Sequence, residues 1–69
     1  MKLTLDIETT MAQDQIWCCG IQREGEPRQR LLVNSMQLEQ HLVGTSSVIG
    51  HNITGFDAPK ISSLWNVSI

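Results

Sequence analysis

The stretch LTLDIETT, residues 3–10, decides how the fold of this chain is interpreted. Its leucines and isoleucine alternate with polar residues, and this period of two is typical of a half-buried β-strand. Two of the polar residues are Asp6 and Glu8, although acidic residues are poor strand formers and are rarely fully buried unless they are paired. Side chains two residues apart on a strand share a face, so both carboxylates are expected on one side of a sheet. Either that face is simply solvated, or a cation lies against it.

Length and charge restrict the function classes that this chain can belong to. The sequence has 69 residues, enough for one small domain, with a net charge of −2 and a predicted pI near 5.5. The absence of a Lys/Arg run argues against a basic nucleic-acid coat or a membrane-surface binder. No apolar run approaches the roughly 20 residues of a membrane span, and the N-terminal residues lack the apolar region of a signal peptide. We therefore expect a cytoplasmic chain that does not enter a membrane.

Two adjacent cysteines, Cys18 and Cys19, form the only thiol pair. Neighbouring residues on a strand point to opposite faces, so a disulfide between them would be strained. Adjacent cysteines are also not a metal-ligand spacing. We expect free thiols in a reducing compartment.

The remaining patterns predict an α/β domain with the element order β-β-β-α-β-α, in which three antiparallel strands precede a helix and a parallel strand. Such a sheet, if it stopped here, would leave an apolar face and one edge uncovered, so residues 1–69 are expected to be part of a larger fold or to need a partner. The predicted elements after the first strand are a strand over Ile16–Gln22, a hairpin connection over Arg23–Pro27, a strand within residues 28–34, a helix over Ser35–Val43 capped by Asn34, a buried strand at Val48–Ile49 and a helix from Phe56 with Pro59 in its first turn. The alternation of Trp65, Val67 and Ile69 suggests the start of a further element.

A second chemistry-bearing stretch is GHNITGFDAPKI, residues 50–61. It runs from the predicted parallel strand through a turn of small residues into the second predicted helix. Asp57 then stands in the first helical turn, where an acid is an ordinary partner of the helix dipole. Asn52 in the turn and the neighbouring His51 also have ordinary surface interpretations. The combination is more informative, because a strand with two acids is followed by a strand–turn–helix that presents a third.

Together, LDIETT and GHNITGFDAPKI resemble the first and second motifs of the DEDD (DnaQ-like) 3′–5′ exonucleases. The version of these motifs is most similar to the N-terminal proofreading domain of phage family A DNA polymerases. Asp6 and Glu8 match the D-x-E of the first motif. Asn52, Phe56 and Asp57 match the second motif, in which an Asn is followed five residues later by an Asp that an aromatic residue precedes. The resemblance covers nearly the whole chain.

This resemblance implies a partial ribonuclease H-like fold, with residues 1–69 as the N-terminal part of an exonuclease domain that is truncated before its last elements. It also implies phosphodiester hydrolysis with two Mg²⁺ (or Mn²⁺) ions, which clamp the attacking and leaving oxygens at phosphorus. In that reading Asp6 bridges the two ions and Glu8 holds the ion near the attacking water. Asp57 acts on the second ion, directly or through water.

The implied substrate is the 3′ end of single-stranded DNA. Thr9, Asn52, Phe56 and Lys60 are the candidates for substrate contact, although Phe56 is expected to pack in the core rather than to stack on a base. DNA binding should be weak, because five basic residues against seven acidic ones leave no basic groove. Trp17 and Trp65 are expected to pack in a core or interface.

The chain departs from the family at its third motif, which carries a fourth carboxylate and a Tyr or His that orients the water. No acidic residue and no His follows Asp57, and the sequence contains no Tyr. We therefore expect little or no nuclease activity from these 69 residues alone. The remainder of a DNA polymerase in the bacterial host cell of a phage, or self-association through an exposed sheet edge, is the implied partner. The alternatives are a non-catalytic interaction or folding partner derived from such a module, and a small α/β domain with coincidental motifs.

Overall fold

The computed structural model describes residues 1–69 as one mixed four-stranded sheet with two α-helices. The α/β class and the element order predicted from the sequence are confirmed. Neither helix is long and apolar enough to cross a membrane. The elements are β1 (Lys2–Thr9), β2 (Ile16–Arg23), β3 (Arg30–Leu32), α1 (Ser35–Leu42), β4 (Ser47–Ile49), a π-helical turn (Ile53–Asp57) and α2 (Ala58–Trp65).

Strand β1 lies inside the sheet, whose order is β3-β2-β1-β4. It pairs antiparallel with β2 along nearly its whole length, and β2 pairs antiparallel with β3. Strand β4 runs parallel to β1 and pairs with residues Lys2–Thr4 alone. The predicted sequence of three antiparallel strands and one parallel strand is therefore confirmed, and the second half of β1 has no strand on its β4 side.

The core lies on one face of the sheet, beneath the two helices. The apolar residues of β1 are buried there, whereas Thr4, Asp6 and Glu8 are exposed on the opposite face. The alternation in residues 3–10 thus corresponds to a half-buried strand, as its period predicts. The core consists of Leu3, Leu5, Ile7, Ile16, Cys19, Ile21, Leu32, Leu38, Ile61 and Val67.

Helix α1 begins where the sequence predicts. The side chain of Asn34 accepts a hydrogen bond from the Gln37 N–H at 2.9 Å, which is the N-cap contact. The Gln37 side chain reaches back to the N–H of Val33 at 2.8 Å. The helix ends at Leu42, one residue before the predicted end, because Val43 has extended backbone dihedrals.

The second predicted helix begins differently from the prediction. The carbonyl of Asn52 accepts hydrogen bonds from the N–H groups of both Phe56 and Asp57, at 2.9 and 3.2 Å. The bond that spans five residues makes this turn π-helical, so the α-helix starts at Ala58 instead of Phe56. Pro59 does lie in the first α-helical turn, as predicted.

Two expectations about burial and chain ends are wrong, and one is decided only in part. Val48 is half-buried and Ile49 is 49% exposed, because β4 is an edge strand and not an interior one. Trp17 is 67% exposed and lies outside the core, since its neighbour Ile16 occupies the buried position beside the irregular β1–β2 pairing; its packing in an interface stays a prediction. Residues 66–69 form no further element, because Asn66 adopts a left-handed conformation that ends α2. Trp65, by contrast, packs against the core as expected.

Candidate functional site

The carboxylates of Asp6 and Glu8 project from the same exposed face of β1. Neither forms a hydrogen bond or an ion pair with another side chain, and the one salt bridge of the chain joins Arg30 to Glu26. No cation of the protein itself therefore lies against the two acids. Their oxygens face solvent and are free to bind a ligand, at the energetic cost of two like charges on one face.

The residue opposite Asp6 on β2 is Gly20. A Cβ atom at Gly20 would collide with the side-chain amide of Gln29, so that amide lies over the glycine. Gln29 was not singled out from the sequence. The available signal was Gly20 itself, because a glycine within a strand often marks the close approach of another group.

Asp57 lies at the junction of the π-helical turn and α2, and it is only 3% exposed. Its Oδ2 accepts a hydrogen bond from the backbone N–H of Ile7 at 3.0 Å. Since β4 pairs with β1 only as far as Thr4, the N–H of Ile7 has no strand partner on that side. The Asp57 carboxylate takes the place of that missing partner, directly at the residue between Asp6 and Glu8.

The environment of Asp57 raises the pKa of its carboxyl group above the ordinary value of 3.8. Burial is the main cause, and the hydrogen bond from Ile7 opposes it. The negative charge of Asp6 raises the pKa further, while His51 lowers it. The acids of the two sequence motifs are thus close enough to interact electrostatically.

A close backbone approach brings the turn to β1. A Cβ atom at Gly50, directly after β4, would lie 2.8 Å from the carbonyl oxygen of Leu5. Real Cβ atoms do not come this close to backbone oxygens, so a residue without a side chain is required here. Gly50 therefore lets the chain pass β1 closely enough for Asp57 to reach Ile7.

The other candidate residues surround this junction without forming one cluster. Asn52 is exposed, and its side chain lies against Gly55, where a Cβ atom would be 2.6 Å from the Asn52 Oδ1. Phe56 packs against the core, as expected, and the Lys60 Nζ lies 6.0 Å from the centre of its ring. Thr9 is half-buried and donates a side-chain hydrogen bond to the carbonyl of the next residue.

The exposed carboxylates of Asp6 and Glu8 form a donor set that fits a cation. No group of three or more His, Cys, Asp or Glu side chains is arranged to hold a metal ion. Mg²⁺ is usually bound by one or two carboxylates and keeps several waters, a requirement that an exposed pair can meet. One oxygen of Asp57 is already engaged by the Ile7 amide, which gives this acid a structural contact in addition to any role toward an ion.

The two cysteines are free and lie in different surroundings, in agreement with the prediction. Cys19 is fully buried opposite Ile7, and Cys18 is half-buried opposite Glu8. Burial, followed by the charge of Asp57, raises the pKa of the Cys19 thiol to about 12. Cys19 is therefore a packing residue of the core under the site and not a nucleophile.

No protein-family model, curated protein or solved structure matches this chain. Its function is therefore inferred from the residues and geometry of the site.

Proposed function

We propose that this chain is part of a 3′–5′ proofreading exonuclease module of a phage-type DNA polymerase. Its substrate would be the 3′ end of single-stranded DNA, and its reaction the hydrolysis of the terminal phosphodiester bond. The observation that carries the proposal is the hydrogen bond from Ile7 to Asp57. It joins the Asp6–Glu8 motif to the Asn52–Asp57 motif, two stretches that the resemblance to DnaQ-like exonucleases requires to act at one site.

The topology supports the proposal at the level of the fold. A ribonuclease H-like arrangement for this chain implies antiparallel strands followed by a helix and a parallel strand, and this is the order of β1 to β4. The first acidic motif lies on the strand that pairs with both β2 and β4. The second motif follows β4 directly. One motif therefore lies on, and the other directly after, two neighbouring parallel strands.

Asp6 and Glu8 would hold Mg²⁺ or Mn²⁺, with Asp57 as the third acid of the site. When bound, such ions activate water and stabilise the charge that develops at phosphorus. Asp57 also fixes the turn against β1 through Ile7. Thr9, Asn52, Phe56 and Lys60 are proposed to contact or support the terminal nucleotide, and Lys60 supplies the positive charge for a phosphate.

The 69 residues alone should hydrolyse DNA poorly or not at all. No acid follows Asp57 and the sequence has no Tyr, so a fourth carboxylate and a water-orienting residue have to come from elsewhere. Loss of one member of a cooperative catalytic group can cost orders of magnitude in rate. The proposed partner is the remainder of the polymerase, in the bacterial cell that the phage infects.

A second candidate function is a non-catalytic interaction or folding partner derived from such a module. The edge of β4, which has no strand partner on its outer side, favours this second function. It requires neither metal binding nor hydrolysis, so a measurement of metal affinity separates the two functions.

Titration with Mn²⁺, followed by electron paramagnetic resonance of the free ion, distinguishes the two. The first function predicts binding that Asp6→Asn and Glu8→Gln each weaken at least tenfold. Glu39→Gln is the matched control, because Glu39 is also an exposed acid but lies on α1. Equal affinities of the wild type, Asp6→Asn and Glu39→Gln would contradict the proposed metal site and favour the interaction partner.

A further inference from the structure

Two glutamines stand on the acidic face of the sheet, which is the face that carries Asp6 and Glu8. The amide of Gln22 is engaged, because its Nε2 donates to a backbone carbonyl of the β2–β3 connection at 2.9 Å. The amide of Gln29 lies over Gly20 and forms no hydrogen bond with the rest of the chain. Its donor and acceptor atoms are therefore free to bind a ligand.

The pairing of β1 with β2 places the Gln29 amide next to Asp6. Gly20 lies directly opposite Asp6, and residues paired in this way direct their side chains to the same face, with Cβ atoms about 5 Å apart. A Cβ atom at Gly20 would lie 3.0 Å from the Gln29 Cδ, and Nε2 is the Gln29 atom nearest to that position. The amide of Gln29 thus occupies the place that a side chain opposite Asp6 would take.

The connection that carries Gln29 is held by contacts on both sides of this residue. Arg30, the first residue of β3, donates from its guanidinium to the Glu26 carboxylate at 3.3 Å. The Glu26 N–H donates in turn to the carbonyl of Arg23 at 3.0 Å. These contacts restrict the backbone around Gln29, which reduces the entropy that is lost when its amide binds a ligand.

A neutral donor suits this position better than a basic residue. A lysine or arginine beside Asp6 would attract its carboxylate and compete with a metal ion for it. An amide N–H leaves the carboxylates to the cation and can still donate to an oxygen of another ligand of that cation. Lys2 is the basic residue of β1, but it lies four residues from Asp6, about 13 Å along the strand. Gln29 is therefore the closer donor.

We propose that Gln29 is a substrate-binding residue, whose amide N–H donates to a phosphate oxygen of the nucleotide held by a cation at Asp6 and Glu8. This inference rests on the proposed function, because it requires a cation at the two carboxylates and a phosphate bound to it. Gly20 contributes by leaving room for the amide. Asp57 and Gln29 then flank Asp6 from the β4 side and the β2 side of β1.

Nuclear magnetic resonance of the ¹⁵N-labelled chain tests the proposal, with deoxythymidine 5′-monophosphate and Mg²⁺ as probes. The side-chain amide signals of Gln29 should shift when the nucleotide is added to the Mg²⁺-saturated chain, and much less when Mg²⁺ is omitted. Gln29→Ala should weaken nucleotide binding, measured from the backbone amides of β1, by about fivefold or more through loss of a hydrogen bond to a charged acceptor. The Mg²⁺ affinity of this variant should be unchanged, because the amide nitrogen is not a metal ligand.

Gln40→Ala is the matched control, because Gln40 is also an exposed glutamine but lies on α1, and it should leave both affinities unchanged. Gly20→Ala should weaken nucleotide binding as Gln29→Ala does, since its methyl group displaces the amide. The two changes act on one contact, so the double variant should bind no more weakly than Gln29→Ala alone. Circular dichroism confirms folding of each variant.

The outcomes separate this proposal from the proposed function. Nucleotide binding that Asp6→Asn abolishes and Gln29→Ala leaves intact would overturn the role of Gln29 and retain the cation site. A wild-type chain that binds neither Mg²⁺ nor the nucleotide would overturn both. Equal losses of nucleotide affinity in Gln29→Ala and Gln40→Ala would also contradict the assignment, since only Gln29 lies beside Asp6.

Discussion

The backbone N–H of Ile7 donates to the Asp57 carboxylate at 3.0 Å, although the two residues are 50 positions apart in the sequence. This bond closes the gap that β4 leaves along β1, and it connects the two acidic motifs. Both partners are buried, so little water competes for the bond.

Replacing Asp57 by Ala should therefore destabilise the fold by about 1–3 kcal/mol, because the buried Ile7 N–H loses its acceptor. Asp57→Asn keeps an acceptor oxygen of the same size and should cost much less. Urea denaturation followed by circular dichroism measures both changes. Equal destabilisation by Ala and Asn would mean that the hydrogen bond contributes little.

The raised pKa of Asp57 has a consequence for the pH dependence of stability. A carboxyl group whose pKa is higher in the folded than in the unfolded chain contributes to the free energy of unfolding. This contribution is fully present below the unfolded pKa and is lost as the pH rises through the folded pKa. Asp57→Asn lacks this titration. The free energy of unfolding of Asp57→Asn, relative to the wild type, should therefore increase from pH 3 to pH 7. A constant difference over that range would show that Asp57 titrates normally.

Gly50→Ala should destabilise the chain by about 1–3 kcal/mol, since the added methyl group meets the rigid carbonyl of Leu5. Gly20→Ala is the matched control. Its methyl group meets the flexible side chain of Gln29, which can move away, so its effect should be small. Thermal unfolding compares the two variants. A larger loss of stability in Gly20→Ala would contradict the close approach at Gly50.

The two thiols should react at very different rates with iodoacetamide at pH 8. Cys19 is buried with a pKa of about 12, so it should react only when the chain unfolds. Cys18 is partly accessible and should be alkylated in the native state. Mass spectrometry of the Cys18→Ser variant, with and without urea, isolates Cys19. Rapid native labelling of that variant would show that Cys19 is accessible.

Asn34→Ala should lower the free energy of unfolding by about 1 kcal/mol, through loss of the cap on α1. Asn34→Asp restores an acceptor at the same position and serves as the control. Urea denaturation measures both variants. Equal stability of the wild type and Asn34→Ala would mean that the helix start is fixed by packing alone.

Local patterns predicted much of this fold. The alternation of residues 3–10 reflects a single strand with one buried face. The start of α1 is set by Asn34 and its nearest neighbours, so both features are local. Features that depend on strand order were not predictable in this way. The exposure of Ile49 follows from the edge position of β4, which is set by pairing with distant residues.

The candidate site also combines features that local sequence predicts with features that depend on distant residues. The shared face of Asp6 and Glu8 follows from strand geometry alone. Asp57, which contacts Ile7, is the last residue of the π-helical turn, and the extra residue in that turn has no marker in the local sequence. Gln29 reaches Gly20 from a connection between strands, which no periodicity describes.

The position of β1 between β2 and β4 also sets an order for folding. The β1–β2 pair closes through a short loop. Strand β4, by contrast, is separated from β1 in the sequence by β2, β3 and α1. Long-range parallel pairing forms slowly, because the entropy of closing a long loop is lost before its contacts are gained. The hairpin should therefore gain protection from hydrogen exchange early. The acceptor of the Ile7 amide is Asp57, which follows β4 in the chain, so this amide should be among the last groups to become protected.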